Sequence, residues 1–288
     1  MHLRKKLKSF FVITMIFIFL MTFMFVCEGS TFESESDNKK VVPIIMYHSF
    51  LNDESLLNEY TVSPLLFEED LKYLVKNNFE TITVNDLINY VYSDYKLPEK
   101  CIMLTFDDGY YNNLTYAYPL LQKYNCKAVI SPIVSFTEVY TRKNDVSITY
   151  GNLSVNDLKT MLSSNIIEIQ NHTYDMHSLT PRKGVLKKEG ESQDLYEIAL
   201  TDDLLKAQDF LKTNLKVTPK CFVYPFGFRN KYSDKVIKDM GFLSSMGVEE
   251  KVNILSKNPE TLYNLGRYRR DNNEHISDLI KRINSDLQ

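Results

Sequence analysis

From Val41 onward, short apolar runs alternate with segments whose apolar residues recur every three or four positions. VVPIIMYHSF (41–50) reads as a buried strand. Ser63-Pro64 then opens a helix, with Ser as cap and Pro at the first helical position, and Phe67, Leu71, Leu74 and Val75 fall on one face. ETITV (80–84) predicts a short strand, with a helix over 85–92. CIMLTF (101–106) predicts a strand ending at Asp107-Asp108-Gly109, with a helix over 112–124. KAVISPIVSF (127–136) reads as the next strand, Ser154-x-x-Asp157 as a capping box, and IIEIQ (166–170) as a strand running into His172. The remainder predicts a long amphipathic helix over 193–214 and a strand and turn in CFVYPFG (221–227). A helix over 231–240, strands around 242–248 and 262–269, and a last helix over 274–286 follow.

Such alternation argues for an α/β fold in which parallel strands are covered by helices. The body, residues 41–288, is close in length to the roughly 250 residues of a β/α barrel. The polar residues of interest gather where strands end: His48, Asp107 and Asp108, His172, and Pro225-Phe226-Gly227. In a barrel the C-terminal strand ends share one face, so residues far apart in sequence could meet there.

The N-terminus has a different pattern. Arg4, Lys5, Lys6 and Lys8 precede an uncharged apolar run from Phe10 to Val26. This is the layout of an export signal, with residues 1–30 expected to be a signal peptide or an uncleaved membrane anchor. The run is at the short limit for a span of about 20 residues. No small-residue cleavage site follows, and the bulky Met24, Phe25 and Val26 disfavour lipidation of Cys27. Residues 31–40 are polar and read as a linker. The basic flank places the body on the extracellular side of the membrane, anchored or secreted.

Charge narrows the functional classes. Against 34 Lys and Arg stand 37 Asp and Glu, a balance that lacks the basic excess of a nucleic-acid binder. Nothing in the sequence points to a protein partner. Cys101, Cys126 and Cys221 each open an apolar run, lack any C-x-x-C spacing and read as small buried hydrophobes.

Two adjacent carboxylates at a strand end repel each other, so Asp107-Asp108 suits one cation ligand and one free base, although Asp-Gly is also a common turn. His172 and His177 would point about 140° apart on a helix and converge only if the segment bends. They read either as two surface histidines or, with one carboxylate, as a mononuclear metal set with open positions. A metal-bound water would be a nucleophile near neutral pH, a carboxylate could take its proton, and His48 is the best-placed acid. His275 lies in a polar run and reads as solvated.

TFDDG (105–109), HTYDMH (172–177) and YPFG (224–227) together resemble the polysaccharide deacetylases, carbohydrate esterases related to the nodulation chitooligosaccharide deacetylases. The resemblance spans about residues 41–270. It implies a distorted β/α barrel of seven strands and metal-dependent removal of acetyl groups from N-acetylated sugars. It implies Asp107 as base, Asp108, His172 and His177 as metal ligands, and the Phe226 amide as oxyanion donor. The expected ion is Zn²⁺, with Co²⁺, Ni²⁺, Mn²⁺ or Fe²⁺ as alternatives.

Three departures stand out. The metal histidines are five apart rather than four, Val223 occupies the place of the usual base-orienting Arg, and no C-terminal Leu-x-Leu-His is present. These resemble the circularly permuted branch that deacetylates poly-β-1,6-N-acetylglucosamine, in which an N-terminal Met-Tyr-His supplies the acid. Met46-Tyr47-His48 fits that place, and Arg267 in LGRYRR (265–270) is the choice for the orienting arginine, the alternative being a surface basic cluster. Tyr47, Tyr110, Tyr174 and Pro225 are the candidate contacts to a polysaccharide substrate, with core or rim packing as the equal alternative for the tyrosines; a non-catalytic glycan-binding protein is the main functional alternative. A phosphoesterase would need a second carboxylate-rich metal set, which the sequence lacks.

Overall fold

The computed structural model describes residues 39–143 and 146–287. The expected export segment lies outside these residues, as does most of the expected linker. Among the described residues no helix is long and apolar enough to cross a membrane.

The strands in chain order are β1 (Lys40–Val42), β2 (Ile44–Tyr47), β3 (Ser49–Phe50), β4 (Thr61–Val62), β5 (Glu80–Ile82) and β6 (Cys101–Asp108). They continue as β7 (Ala128–Pro132), β8 (Ile167–Ile169), β9 (Cys221–Val223), β10 (Ser244–Met246), β11 (Asn253–Leu255) and β12 (Tyr268–Arg269). The α-helices are α1 (Pro64–Lys76), α2 (Val84–Tyr92), α3 (Tyr118–Tyr124), α4 (Val134–Lys143), α5 (Val155–Leu162), α6 (Gln193–Leu215), α7 (Lys231–Asp239) and α8 (Ile276–Ser285).

A parallel sheet runs in the order β12-β2-β6-β7-β8, with β5 beside the first half of β6. β9 and β10 form a second parallel pair. Two isolated parallel bridges, Asn171 to Phe222 and Met246 to Leu265, link the end of β8 to β9 and β10 to the segment before β12.

β6 organises the fold. All eight of its residues are buried, as befits a central strand covered on both faces. Its side chains alternate between two layers. Ile102, Leu104 and Phe106 pack outward with Phe67, Leu71 and Leu74 of α1 and Leu279 and Ile280 of α8. Cys101 and Met103 face a second cluster with Ile44, Val129, Val223 and Met246. By the same two-residue period Thr105 and Asp107 continue the side of Met103.

Several local expectations change. The run 41–50 is three short strands, because Pro43 has no amide hydrogen and β1 pairs antiparallel with β11 instead of extending β2. The run 127–136 is strand only to Pro132, beyond which α4 begins at Val134. Val75 sits at the edge of the α1 stripe and is exposed, while Phe67, Leu71 and Leu74 are fully buried. The caps follow the sequence: Ser63 accepts from the Leu66 amide, and Ser154 and Asp157 form a reciprocal box. The three described cysteines are buried free thiols.

Candidate active site

β6 delivers both aspartates to the end of the sheet. Asp107 lies within the extended strand, and its carboxylate meets Arg267 in a two-pronged ion pair, Nη1 to Oδ1 at 2.7 Å and Nη2 to Oδ2 at 2.8 Å. Both side chains are almost wholly buried, at 0% and 3% exposure. Arg267 is itself fixed, since Nε donates to the Gly247 carbonyl at 2.7 Å and Nη1 to Thr105 Oγ1 at 3.3 Å. Burial pushes the Asp107 carboxyl up, but Arg267 and His172 more than offset it and hold it below its ordinary value.

Asp108 leaves the extended path of the strand: its backbone adopts the left-handed conformation, with φ of 65°. An extended strand would place these adjacent carboxylates on opposite faces; the left-handed turn lets both line one cavity. His172 follows β8 and His177 follows the next turn. Their Nε2 atoms lie 3.5 and 3.3 Å from Asp108 Oδ1. His172 Nδ1 donates to the Val223 carbonyl at 2.8 Å, so its proton sits on Nδ1 and Nε2 faces the carboxylate.

The residues present fit a cation. The relevant ligand atoms of Asp108, His172 and His177 all lie within 4.8 Å of one another. Asp108 Oδ1 is buried and has no hydrogen-bond partner, a costly state for a charged oxygen unless a positive charge is shared there. For Asp108, burial pushes the carboxyl up and the imidazoles more than reverse it. For His172, burial pushes down and the two carboxylates raise it. That upward pull comes from two carboxylates that favour positive charge beside the ring. Burial brings His177 down to about 4, so at neutral pH its ring is an uncharged ligand. One carboxylate and two imidazoles with open positions suit Zn²⁺ and related divalent ions.

A cavity of about 660 Å³ opens over this group and is lined by His48, Asp107, Asp108, Tyr110, His172, His177 and Phe226, among others. His48 stands at the end of β2, its ring edge-on to Tyr60 with centroids 5.1 Å apart. Its Nδ1 is buried without a partner, and burial lowers its pKa. Phe226 lies in the single turn Pro225–Gly227 with φ of 56°, and its ring packs on His177 at 4.4 Å between centroids. The turn is enforced by Gly227, where a Cβ would come within 2.4 Å of Val248 Cγ2. Left-handed non-glycine residues at Asp108, Thr173 and Phe226 concentrate backbone strain around one site.

The structure thus brings together His48, Asp107, Asp108, His172, His177, Phe226 and Arg267. Among the candidate substrate contacts, only Tyr110 lines the cavity. Tyr47 is a correction: it shares the outward side of β2 with Ile45, packs edge-on against Phe67 and Phe106, and donates to Asp70. Tyr174 is also placed elsewhere, its hydroxyl on Glu138 and its ring under Lys206. Pro225 is buried in the turn and outside the cavity lining. Tyr60, Glu250 and Arg269 line the cavity and were not anticipated. Arg269 alone had a usable signal, because it lies two residues from Arg267 in an extended segment and so shares its side.

The strand order and this constellation define the class. A model of the polysaccharide deacetylase family matches residues 94–244, just over half of the sequence, and the chain belongs to that family. Among curated proteins it is 28% identical over 203 residues to the poly-β-1,6-N-acetyl-D-glucosamine N-deacetylase of Staphylococcus aureus. The matched stretch covers 70% of this chain and 66% of that protein's length. Among solved structures, a de-N-acetylase from Aggregatibacter actinomycetemcomitans superposes with a TM-score of 0.71 at 22% identity, covering 84% of this chain and 99% of the other. IcaB from Ammonifex degensii gives 0.67 at 24%, covering 80% and 91%. Likenesses at this identity establish the shared fold.

Proposed function

We propose that this chain is a metal-dependent hydrolase that removes N-acetyl groups from an N-acetylglucosamine-containing polysaccharide outside the cell membrane. The observation that carries the reading is the Arg267-clamped Asp107 beside the Asp108, His172 and His177 group on the wall of one cavity. The S. aureus relative, named for deacetylation of poly-β-1,6-N-acetyl-D-glucosamine, supports that polymer as substrate class, with peptidoglycan as the alternative. The apolar run 10–26 behind a basic flank supports the location, secreted or anchored through that segment. The two isolated bridges support closure of β2, β6, β7, β8, β9, β10 and β12 into a distorted seven-stranded barrel.

Asp108, His172 and His177 would hold the divalent ion, whose chemistry when bound is to polarise the acetyl carbonyl and lower the pKa of water. Asp107 accepts the proton of the attacking water. Its two oxygens each hold one Arg267 hydrogen bond, so the carboxylate is fixed in orientation and kept ionised. Arg267 acts through Asp107 and is a positioning residue. The Phe226 amide donates to the oxygen that gains charge as the carbonyl becomes tetrahedral. His48 gives a proton to the departing sugar amine. Water's oxygen ends on the acetyl carbon, the carbon–nitrogen bond breaks, and the products are acetate and a glucosamine unit.

The decisive experiment measures acetate release from acetylated glucosamine oligomers, from peptidoglycan and from a phosphoester control. Release that a chelator stops and Zn²⁺ or Co²⁺ restores is the expected result. Asp107→Asn should keep the metal and lose turnover by about 10²–10⁴-fold. Full activity in that variant would remove Asp107 from its role. A metal-loaded protein that binds the glycan yet releases no acetate would favour a binding module.

A further inference from the structure

The two histidines of the site are five residues apart, a spacing that neither a helix nor a strand converts into convergence. The intervening turn does so, and it is held from outside. Thr173 takes a left-handed φ of 73°. The next two amides then point the same way, toward α6. Tyr174 N–H donates to Asp203 Oδ1 at 2.8 Å and Asp175 N–H donates to Asp203 Oδ2 at 2.9 Å. On the other side the start of α4 takes up the carbonyls, Val134 N–H to Thr173 at 3.2 Å and Ser135 N–H to Tyr174 at 2.8 Å.

We infer that Asp203, on the middle of α6, is a positioning residue that fixes the separation of His172 and His177 by chelating the two amides between them. The inference rests on the proposed cation site formed by those histidines with Asp108. A carboxylate is the group the geometry requires. It offers two oxygens that only accept, one for each amide. An asparagine in its place would satisfy one amide and turn an N–H₂ toward the other. The turn would then relax, and His177, which no β-strand carries, would lose its set distance from His172. Supports of this kind behind metal ligands typically govern affinity by 10–100-fold.

The test is a titration of the metal-free full chain with Co²⁺, read by visible absorption, for the wild type, Asp203→Asn and Lys206→Ala. Lys206 lies over the Tyr174 ring of the same turn, at 3.6 Å, and its charge reaches Asp203, but it holds neither amide. Asp203→Asn should raise the Co²⁺ Kd by about tenfold or more and alter the absorption bands, while its thermal midpoint stays near that of Lys206→Ala. Lys206→Ala should leave the Kd within about twofold. An unchanged Kd in Asp203→Asn, or an equal rise in Lys206→Ala, overturns the assignment. If Asp203→Asn does not fold, Asp203→Ser, whose hydroxyl serves one amide, is read by the same criterion. A wild-type chain that takes up no Co²⁺ overturns the cation site and this inference together. A loss confined to Asp203→Asn cannot be confused with that result.

Discussion

Replacing Arg267 by Met keeps a long side chain in the interior and removes the cation facing Asp107. The carboxylate then stays buried, with two hydrogen bonds of 2.7 and 2.8 Å lost. Two opposite unit charges about 4 Å apart interact by about 4 kcal/mol at an effective dielectric constant of about 20. Breaking a buried ion pair by removing one partner costs about 3–5 kcal/mol in measured cases. The two routes agree, so Arg267→Met should lose about 4 kcal/mol of unfolding free energy at pH 7, read by urea denaturation. The sign of a second change is also fixed. Adding Asp107→Asn to Arg267→Met removes the stranded charge and should recover part of the loss. Turnover of acetylated oligomers should fall by about 10²-fold or more in the single variant. A single variant within about 1 kcal/mol of wild type, or a double variant no more stable than the single, would refute the charged, clamped state of Asp107.

Three further outcomes are expected. Gly227→Ala should cost about 1 kcal/mol or more by urea denaturation and lower turnover, since φ is 69° and the new Cβ meets Val248. Glu68 is brought down to about 2 by Lys123 and Tyr124; its contribution to stability is therefore complete above about pH 4.5 and is lost as pH falls toward 2, so the stability gap between wild type and Glu68→Gln should close over that interval. His48→Gln should lower kcat on acetylated oligomers by about 10²-fold or more, with Co²⁺ affinity unchanged because the ring is outside the Asp108, His172 and His177 group; parallel loss of both would place His48 among the ligands.

Much of this was legible in the residues. Strong signals came from chemistry that repeats locally: caps at Ser63 and Ser154, an eight-residue buried run at β6, and the adjacent aspartates that end it. The less legible parts depend on partners far away in the chain. Nothing local distinguishes Tyr47 in the outer layer from His48 in the cavity; the two-residue alternation does, once the register of β2 against β6 is known. The break at Pro43 could have been read from its missing amide hydrogen. Tyr60 lies in a loop whose direction is set by β3 and β4, two residues each, too short for any pattern to reveal. Asp203 is one of several acids on a long helix, and only the turn it faces gives it meaning.

The pairing of Arg267 with Asp107 joins residues 160 positions apart. Arg267 lies just before β12, whose Tyr268 pairs with Ile45 of β2 near the opposite end of the described chain. A ribosome adding about 5–20 residues per second reaches Arg267 on the order of ten seconds or more after Asp107. Throughout that interval β6 holds an acidic residue whose burial lacks its counter-charge, so the packing of the central strand is destabilised. The nascent chain therefore lacks the Asp107–Arg267 clamp until the segment just before β12 is made, and premature termination before Arg267 yields a chain without the counter-charge that buried Asp107 requires.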